Sequence, residues 1–200
     1  MSIAPDKSSE LTLDVAQLFP NQGAWSELDY LDLDTNRLVE FSNGVVEFLP
    51  MPTMTHQLIA MALCRLLESF VSTNELGTVL IAAFKVRLWE GKFREPDVLF
   101  MKREHASRMS QQYWEGADLV MEVVSPDDPS RDLETKREEY ALAGIPEYWI
   151  IEPNLGKITI LTLSGTTYAV HGEFYRGDLA TSKLLPGFAV DVTAALAAKM

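Results

Sequence analysis

The sequence predicts a mixed α/β fold, a β-sheet with helices packed on it, and three observations predict it. An Asn43-Gly44 dipeptide separates the apolar runs "RLVEF" and "VVEFLP", and this pair supplies the positive-φ turn of a hairpin. From Leu58 to Val71 apolar residues recur at helical spacing. Further on, "LVMEVV", a helical segment and "PEYWIIE" follow one another, the strand–helix–strand alternation of a sheet covered by helices.

The elements run in this order. Residues 1–24 read as a loose arm broken by Pro5 and Pro20, and "AWSELDYLDLD" as a short helix capped by Ser26. After the hairpin comes the long helix, capped by Thr53 or Thr55, apolar from Leu58 to Val71 and closed by Gly77. "TVLIAAFKVRLW" reads as one or two strands, followed by a turn at Glu90-Gly91 and a strand, "DVLFM", opened by Asp97. A polar segment of helical character leads to "LVMEVV", which Ser125-Pro126 stops. A helix from about Pro129 to Ala143, capped by Gly144, leads to the strand "PEYWIIE". "KITILTLSGTTYAVHGEF" forms a C-terminal β-hairpin and "DVTAALAAK" a short closing helix.

Two hundred residues, 47% of them hydrophobic, suit one domain with a substantial core. The N-terminus lacks the basic-then-apolar pattern of a signal peptide, and no apolar run is long enough to span a bilayer. The single cysteine, Cys64, excludes an internal disulfide and falls in an apolar helical stretch, where a buried, inert thiol is expected. A cytoplasmic location is the expectation. The net charge of −12 argues against a broad, non-specific nucleic-acid binder. Between Lys85 and Arg108, however, seven basic residues face four acidic ones, while the rest of the chain has ten against twenty-five. Lys85, Arg87, Arg94 and Lys102 in this segment are candidates for guiding a phosphate backbone; the ordinary alternative is a solvated face.

Two carboxylates sit in or beside apolar strands. Glu122 interrupts "LVMEVV", where an ionised carboxylate costs several kcal/mol unless it is paired or binds a metal. An edge strand with Glu122 facing water or an ion pair is the alternative. Asp97 follows Pro96 and either caps a turn or, if its strand neighbours that of Glu122, shares a hard-cation site with it. In "PSRDLETKREEYALAG", Leu133, Lys136, Tyr140 and Ala143 lie on one helical stripe, which aims Lys136 toward the sheet; snorkelling or pairing with Glu134 or Glu139 is the ordinary fate of such a lysine. Glu40 on the first hairpin could complete an acidic cluster or be an exposed strand residue. His56, in the first turn of the long helix, is an accessory candidate or a structural histidine, and Tyr140 is a second accessory candidate. The sequence holds no Gly-rich phosphate loop, HExxH, paired CxxC or nucleophile elbow.

Taken in order, "RLVEFSNGVVEFLPMPTMTHQ", "REPDVLFMKRE", "LVMEVVSPDD" and "KREEYALAGIPEYWIIEP" resemble the Uma-type family of restriction-endonuclease-like proteins, within the PD-(D/E)XK nuclease superfamily. The resemblance covers roughly residues 25 to 155, leaving about 156–200 as a C-terminal extension. It implies a restriction-endonuclease-like core of mixed sheet flanked by helices. It also implies that Asp97 and Glu122 are the motif acids and Glu40 the additional upstream acid. The superfamily lysine is absent two positions after Glu122, where Val124 stands, and Lys136 is the match on the following helix. Glu152 stands where relatives often carry Asp. The implied activity is Mg²⁺-dependent cleavage of DNA, with Mn²⁺ as substitute. Asp97, Glu122 and the Val123 main-chain carbonyl would hold the metal, Glu40 would support it, and Lys136 would orient the attacking water. Cutting both strands of a duplex makes a homodimer plausible. Two other readings stand beside it: a catalytically weak member serving as a DNA-binding or protein-interaction module, and a metal hydrolase of some non-nucleic substrate.

Overall fold

A computed structural model describes residues 20–35 and 37–197, so most of the predicted N-terminal arm lies outside the described residues. A short helix α1 (Glu27–Leu31) starts at a capping box in which Ser26 and Asp29 bond reciprocally. The hairpin β1 (Val39–Ser42) and β2 (Val45–Phe48) turns at Asn43 and Gly44, both at positive φ. Helix α2 (Met54–Thr73) is capped by the Thr53 hydroxyl, which accepts from the His56 N–H. Its end differs from expectation. The chain leaves the helix through Asn74 and a left-handed Glu75, and Gly77 instead opens β3 (Gly77–Ile81), where a Cβ would collide with the Met101 carbonyl.

The stretch "TVLIAAFKVRLW" is two strands, β3 and β4 (Lys85–Trp89), and they belong to different sheets. They are followed by β5 (Lys92–Arg94) and β6 (Val98–Lys102). The polar segment expected to be helical is a 3₁₀ turn over Arg103–Arg108 and then a strand, β7 (Tyr113–Glu115). Next come β8 (Leu119–Val123), a wide helical turn over Arg131–Thr135 running into α3 (Lys136–Leu142), and β9 (Glu147–Glu152). The C-terminal hairpin pairs β10 (Lys157–Ser164) with β11 (Thr167–Tyr175). A further pair, β12 (Leu179–Thr181) and β13 (Ala189–Asp191), precedes the closing helix α4 (Val192–Leu196).

The strands form two main sheets. One has six strands in the order β11-β10-β9-β8-β6-β3, and the other has five in the order β2-β1-β5-β4-β7. In the first sheet β8 runs parallel to β9 and antiparallel to β6, so it is interior, which rules out the edge-strand account of Glu122. Side chains alternate across it. Leu119, Met121 and Val123 pack beneath Ile59, Leu63 and Leu67 of α2. Val120, on the other face, packs with Tyr140 of α3, Tyr148 and Leu99. The C-terminal segment joins the first of these cores through Phe188, Val190 and Val192. Buried Glu147 fastens it there, accepting from Trp149 Nε1 (2.7 Å), Ser182 Oγ (2.6 Å) and the Lys183 and Leu184 N–H groups (2.7 and 2.8 Å). Cys64 is half-buried against this core, and burial pushes its thiol up. Among the described residues no helix is long and apolar enough to cross a membrane.

Candidate active site

Two adjacent strands bring the paired carboxylates together. Asp97 precedes β6, and its Oδ2 accepts from the Val123 N–H of β8 at 2.7 Å, a bond that fixes the aspartate across the strand pair. Glu122 points to the α3 face, where its Oε1 accepts from the Tyr140 hydroxyl at 2.6 Å and lies 2.9 Å from Lys136 Nζ. The wide turn before α3 turns Lys136 inward, and Asp132, one turn earlier, contacts its Nζ at 3.1 Å. Glu40 lies 3.8 Å away on the remaining side. The lysine is thus 4% exposed and ringed by three carboxylates.

That ring explains the protonation states. Burial disfavours the ammonium, but Glu122, Asp132 and Glu40 hold its pKa well above that of an ordinary lysine. Burial also pushes the Glu122 carboxyl up; Lys136 opposes this while Asp97 and Asp132 reinforce it. Tyr140 is raised by burial and by the Glu122 charge, so its hydroxyl stays a donor. Glu40 shifts the other way. Burial opposes its ionisation, yet Lys136, Arg94 and Arg131 together lower it to about 2.

Glu40 leaves no direct place for a cation. Its Oε2 accepts from Arg94 (2.5 Å) and from Arg131, and its Oε1 accepts from the Glu95 N–H at 3.3 Å. His56 reaches the centre from the first turn of α2, with Nε2 3.1 Å from Asp97 Oδ2. Burial works against its cation, but Asp97, Glu122 and the Val123 carbonyl outweigh burial and raise its pKa. Glu152 lies at the end of β9, where Lys157 holds it at 2.8 Å.

These groups open on a cavity of about 420 Å³ whose wall includes Asp97, Glu122, Asp132, Lys136 and His56. The donor set suits a hard cation. Asp97 Oδ1 and Glu122 Oε2 accept no hydrogen bond from the described residues. Among those residues no group of three or more His, Cys, Asp or Glu side chains surrounds a single point. Two carboxylates with free oxygens leave the other positions to water and phosphate. That is the habit of Mg²⁺, not of Zn²⁺ or of a Ca²⁺ cage.

The basic segment divides: Lys92 and Arg94 are spent inside the molecule, while Lys85, Arg87 and Lys102 stay partly exposed. Arg94 is 3% exposed because β5 is interior to its sheet, and it binds Glu139 through two nitrogens (2.7 and 2.9 Å) as well as Glu40. Arg87 pairs with Glu27 (3.0 Å) and Glu115 (3.2 Å), and Lys85 lies 5.3 Å over the Tyr30 ring. Lys102 stays partly exposed beside Glu104. Sequence reasoning missed Asp132, Arg131, Glu139 and Glu95. The i,i+4 spacing of Asp132 and Lys136 was a usable signal. The partners of Arg131 and Glu139 are 45 to 91 residues away and left none. Glu95 is buried, its carboxyl pushed up to about 7, mainly by burial, while Lys85 and the Val39 N–H pull it down.

No curated protein matches the sequence. A crystal structure titled as a putative nuclease belonging to DUF820, from Anabaena variabilis ATCC 29413, superposes with a TM-score of 0.70 at 15% identity. The superposition covers 86% of this chain and 99% of that one, and at that identity it speaks for the fold. The profile of the Uma2 family, described as "Putative restriction endonuclease", matches residues 25–194, and with most of its length so matched the chain belongs to that family.

Proposed function

We propose that the chain is a metal-dependent nuclease that hydrolyses DNA phosphodiester bonds, with Asp97 and Glu122 holding Mg²⁺. The observation that carries this is one arrangement: Asp97 at the head of β6 and Glu122 on adjacent β8, both lining one cavity and each with an oxygen that accepts no hydrogen bond from the described residues, and a lysine 2.9 Å from the second. Asp97 presents its free oxygen because the Val123 N–H fixes the other, and Tyr140 does the same for Glu122. Bound there, Mg²⁺ would acidify a water and offset charge on the phosphate. Lys136 stays protonated within its ring of acids, so it orients a water or phosphate oxygen by donating and does not act as a base. Glu40 acts through Lys136, whose ammonium it helps keep charged.

The test is plasmid and oligonucleotide cleavage in Mg²⁺, Mn²⁺ or EDTA, with calorimetric titration of Mg²⁺ into wild type and Asp97→Ala. Cleavage that needs metal, and loss of both cleavage and Mg²⁺ binding in Asp97→Ala, is the expected outcome. Intact metal binding in that variant overturns the site. One observation favours a DNA-binding or interaction module instead: all three acids around Lys136 compete with any phosphate for it. DNA binding without metal-dependent cutting, unaltered by Lys136→Ala, would establish that reading. Cutting both strands of a duplex together would call for two copies, and the nine-residue strand β11 at the edge of its sheet offers a pairing surface.

A further inference from the structure

The cavity walls differ sharply in chemistry. One wall is the connection from β2 to α2, Leu49-Pro50-Met51-Pro52, with Leu38 beside it; all five residues lack a polar side chain, and Met51 is 66% exposed. The two prolines fix φ on either side of Met51, so this wall is stiff before anything binds. The opposite lip, Ser125 to Asp128, ends in two exposed aspartates. Around the whole cavity six carboxylates face two cations, Arg131 and Lys136. Both cations are already engaged, Arg131 by Glu40 and Glu47 and Lys136 by its three acids.

A duplex is an unfavourable occupant of such a place. It presents one phosphate charge per about 1.7 Å of axis and is ordinarily held by free Lys and Arg along its backbone. Here none of the cations of the predicted basic segment lines the cavity, Arg94 and Arg87 being paired elsewhere, and the acidic lip would meet the second strand. The reacting groups are also deep, with Asp97 8%, Glu122 2% and Lys136 4% exposed. A phosphate must enter the cavity to reach them. A single strand can send one phosphate inward while turning an unpaired base onto an apolar surface. A thioether against a π-face is one such surface.

Resting on the nuclease reading above, we infer that the substrate is an unpaired DNA strand, a free single strand or the unpaired part of a duplex, whose base packs on the Met51 wall while its phosphate reaches Asp97 and Glu122. A strand cut this way needs no second copy of the chain. Met51 is a specificity residue on this account and touches none of the reacting groups.

The experiment presents one sequence as a single strand, as a blunt duplex and as a duplex with a single-stranded overhang, to wild type and Met51→Ala, in Mg²⁺ and in Mn²⁺. The single strand and the overhang are cut faster than the blunt duplex, with cuts in the unpaired part. Met51→Ala raises KM for the single strand about 2- to 10-fold and leaves kcat in place, as loss of one sulfur–aromatic contact predicts. A preference for the blunt duplex, or an unchanged KM in Met51→Ala, overturns the inference and leaves the nuclease reading standing. Failure to cut any of the three forms with either metal refutes the nuclease reading, and the inference with it.

Discussion

Replacing Lys136 with methionine keeps the volume of the side chain and removes the one positive charge inside the ring of Glu122, Asp132 and Glu40. At an effective dielectric of about 20, the contacts of 2.9, 3.1 and 3.8 Å correspond to about 6, 5 and 4 kcal/mol of gross attraction. Most of that only offsets the cost of burying the charges, so the net loss on removing one partner is about 3–5 kcal/mol. For a chain of this length each kcal/mol moves Tm by about 2–4 °C, which puts the variant roughly 6–20 °C below wild type at neutral pH. The pH dependence gives a second, signed readout. Glu122 is already raised by burial, and without Lys136 it is raised further above its unfolded value. Stability from such a group is fully present below the unfolded pKa and is lost as pH rises through the folded one. The Lys136→Met protein should therefore gain Tm on acidification from about pH 8 to about pH 5. Differential scanning calorimetry across that range measures both effects. A Tm within a degree or so of wild type, with no gain on acidification, would mean that Lys136 is not enclosed as described.

Two further outcomes follow from other buried acids. Glu40 is held at about 2 against an ordinary 4.5, which corresponds to about 3 kcal/mol of stability at neutral pH. That contribution is complete above the unfolded value and is lost as pH falls from about 4.5 toward 2. Acid unfolding curves of Glu40→Gln should therefore lack part of the decline that wild type shows in this window, and curves of equal steepness would contradict the assignment. Glu147→Ala leaves four donors on Trp149, Ser182, Lys183 and Leu184 without their acceptor, at a cost of about 3–5 kcal/mol. Hydrogen exchange should speed up first in residues 179–196; protection there equal to wild type would show that Glu147 does not fasten that segment.

The legible parts of the fold were those whose cause is local. The Asn43-Gly44 turn, the Ser26 and Thr53 caps, the amphipathic α2 and the strand around Glu122 each follow from a few neighbouring residues. The division into two sheets was not legible, since nothing in "TVLIAAFKVRLW" shows that its halves take different partners, β6 and β5. The end of α2 failed for a related reason. Gly77 has the look of a helix cap, but the demand it meets is the close approach of the Met101 carbonyl from β6.

The site divides along the same line, and the division bears on function. Lys136 could be aimed inward because helical spacing alone put it on the core-facing stripe, and Asp132 was within reach of the same logic. The reading of Arg94 as a surface cation failed because charge counted along the chain carries no information about who neutralises it. Its partners, Glu40 and Glu139, are 54 and 45 residues away, and they lie on the elements that build the reacting centre. The ion pairs that take Arg94 out of the surface are thus the same ones that lock β1, β5 and α3 around Glu122 and Lys136. An arginine spent in this way stiffens the centre and is withheld from a backbone of phosphates. On the nuclease reading proposed above, affinity for a strand would draw on a cation held by Asp97 and Glu122 and on contacts that are not ionic, which is where the apolar Met51 wall enters.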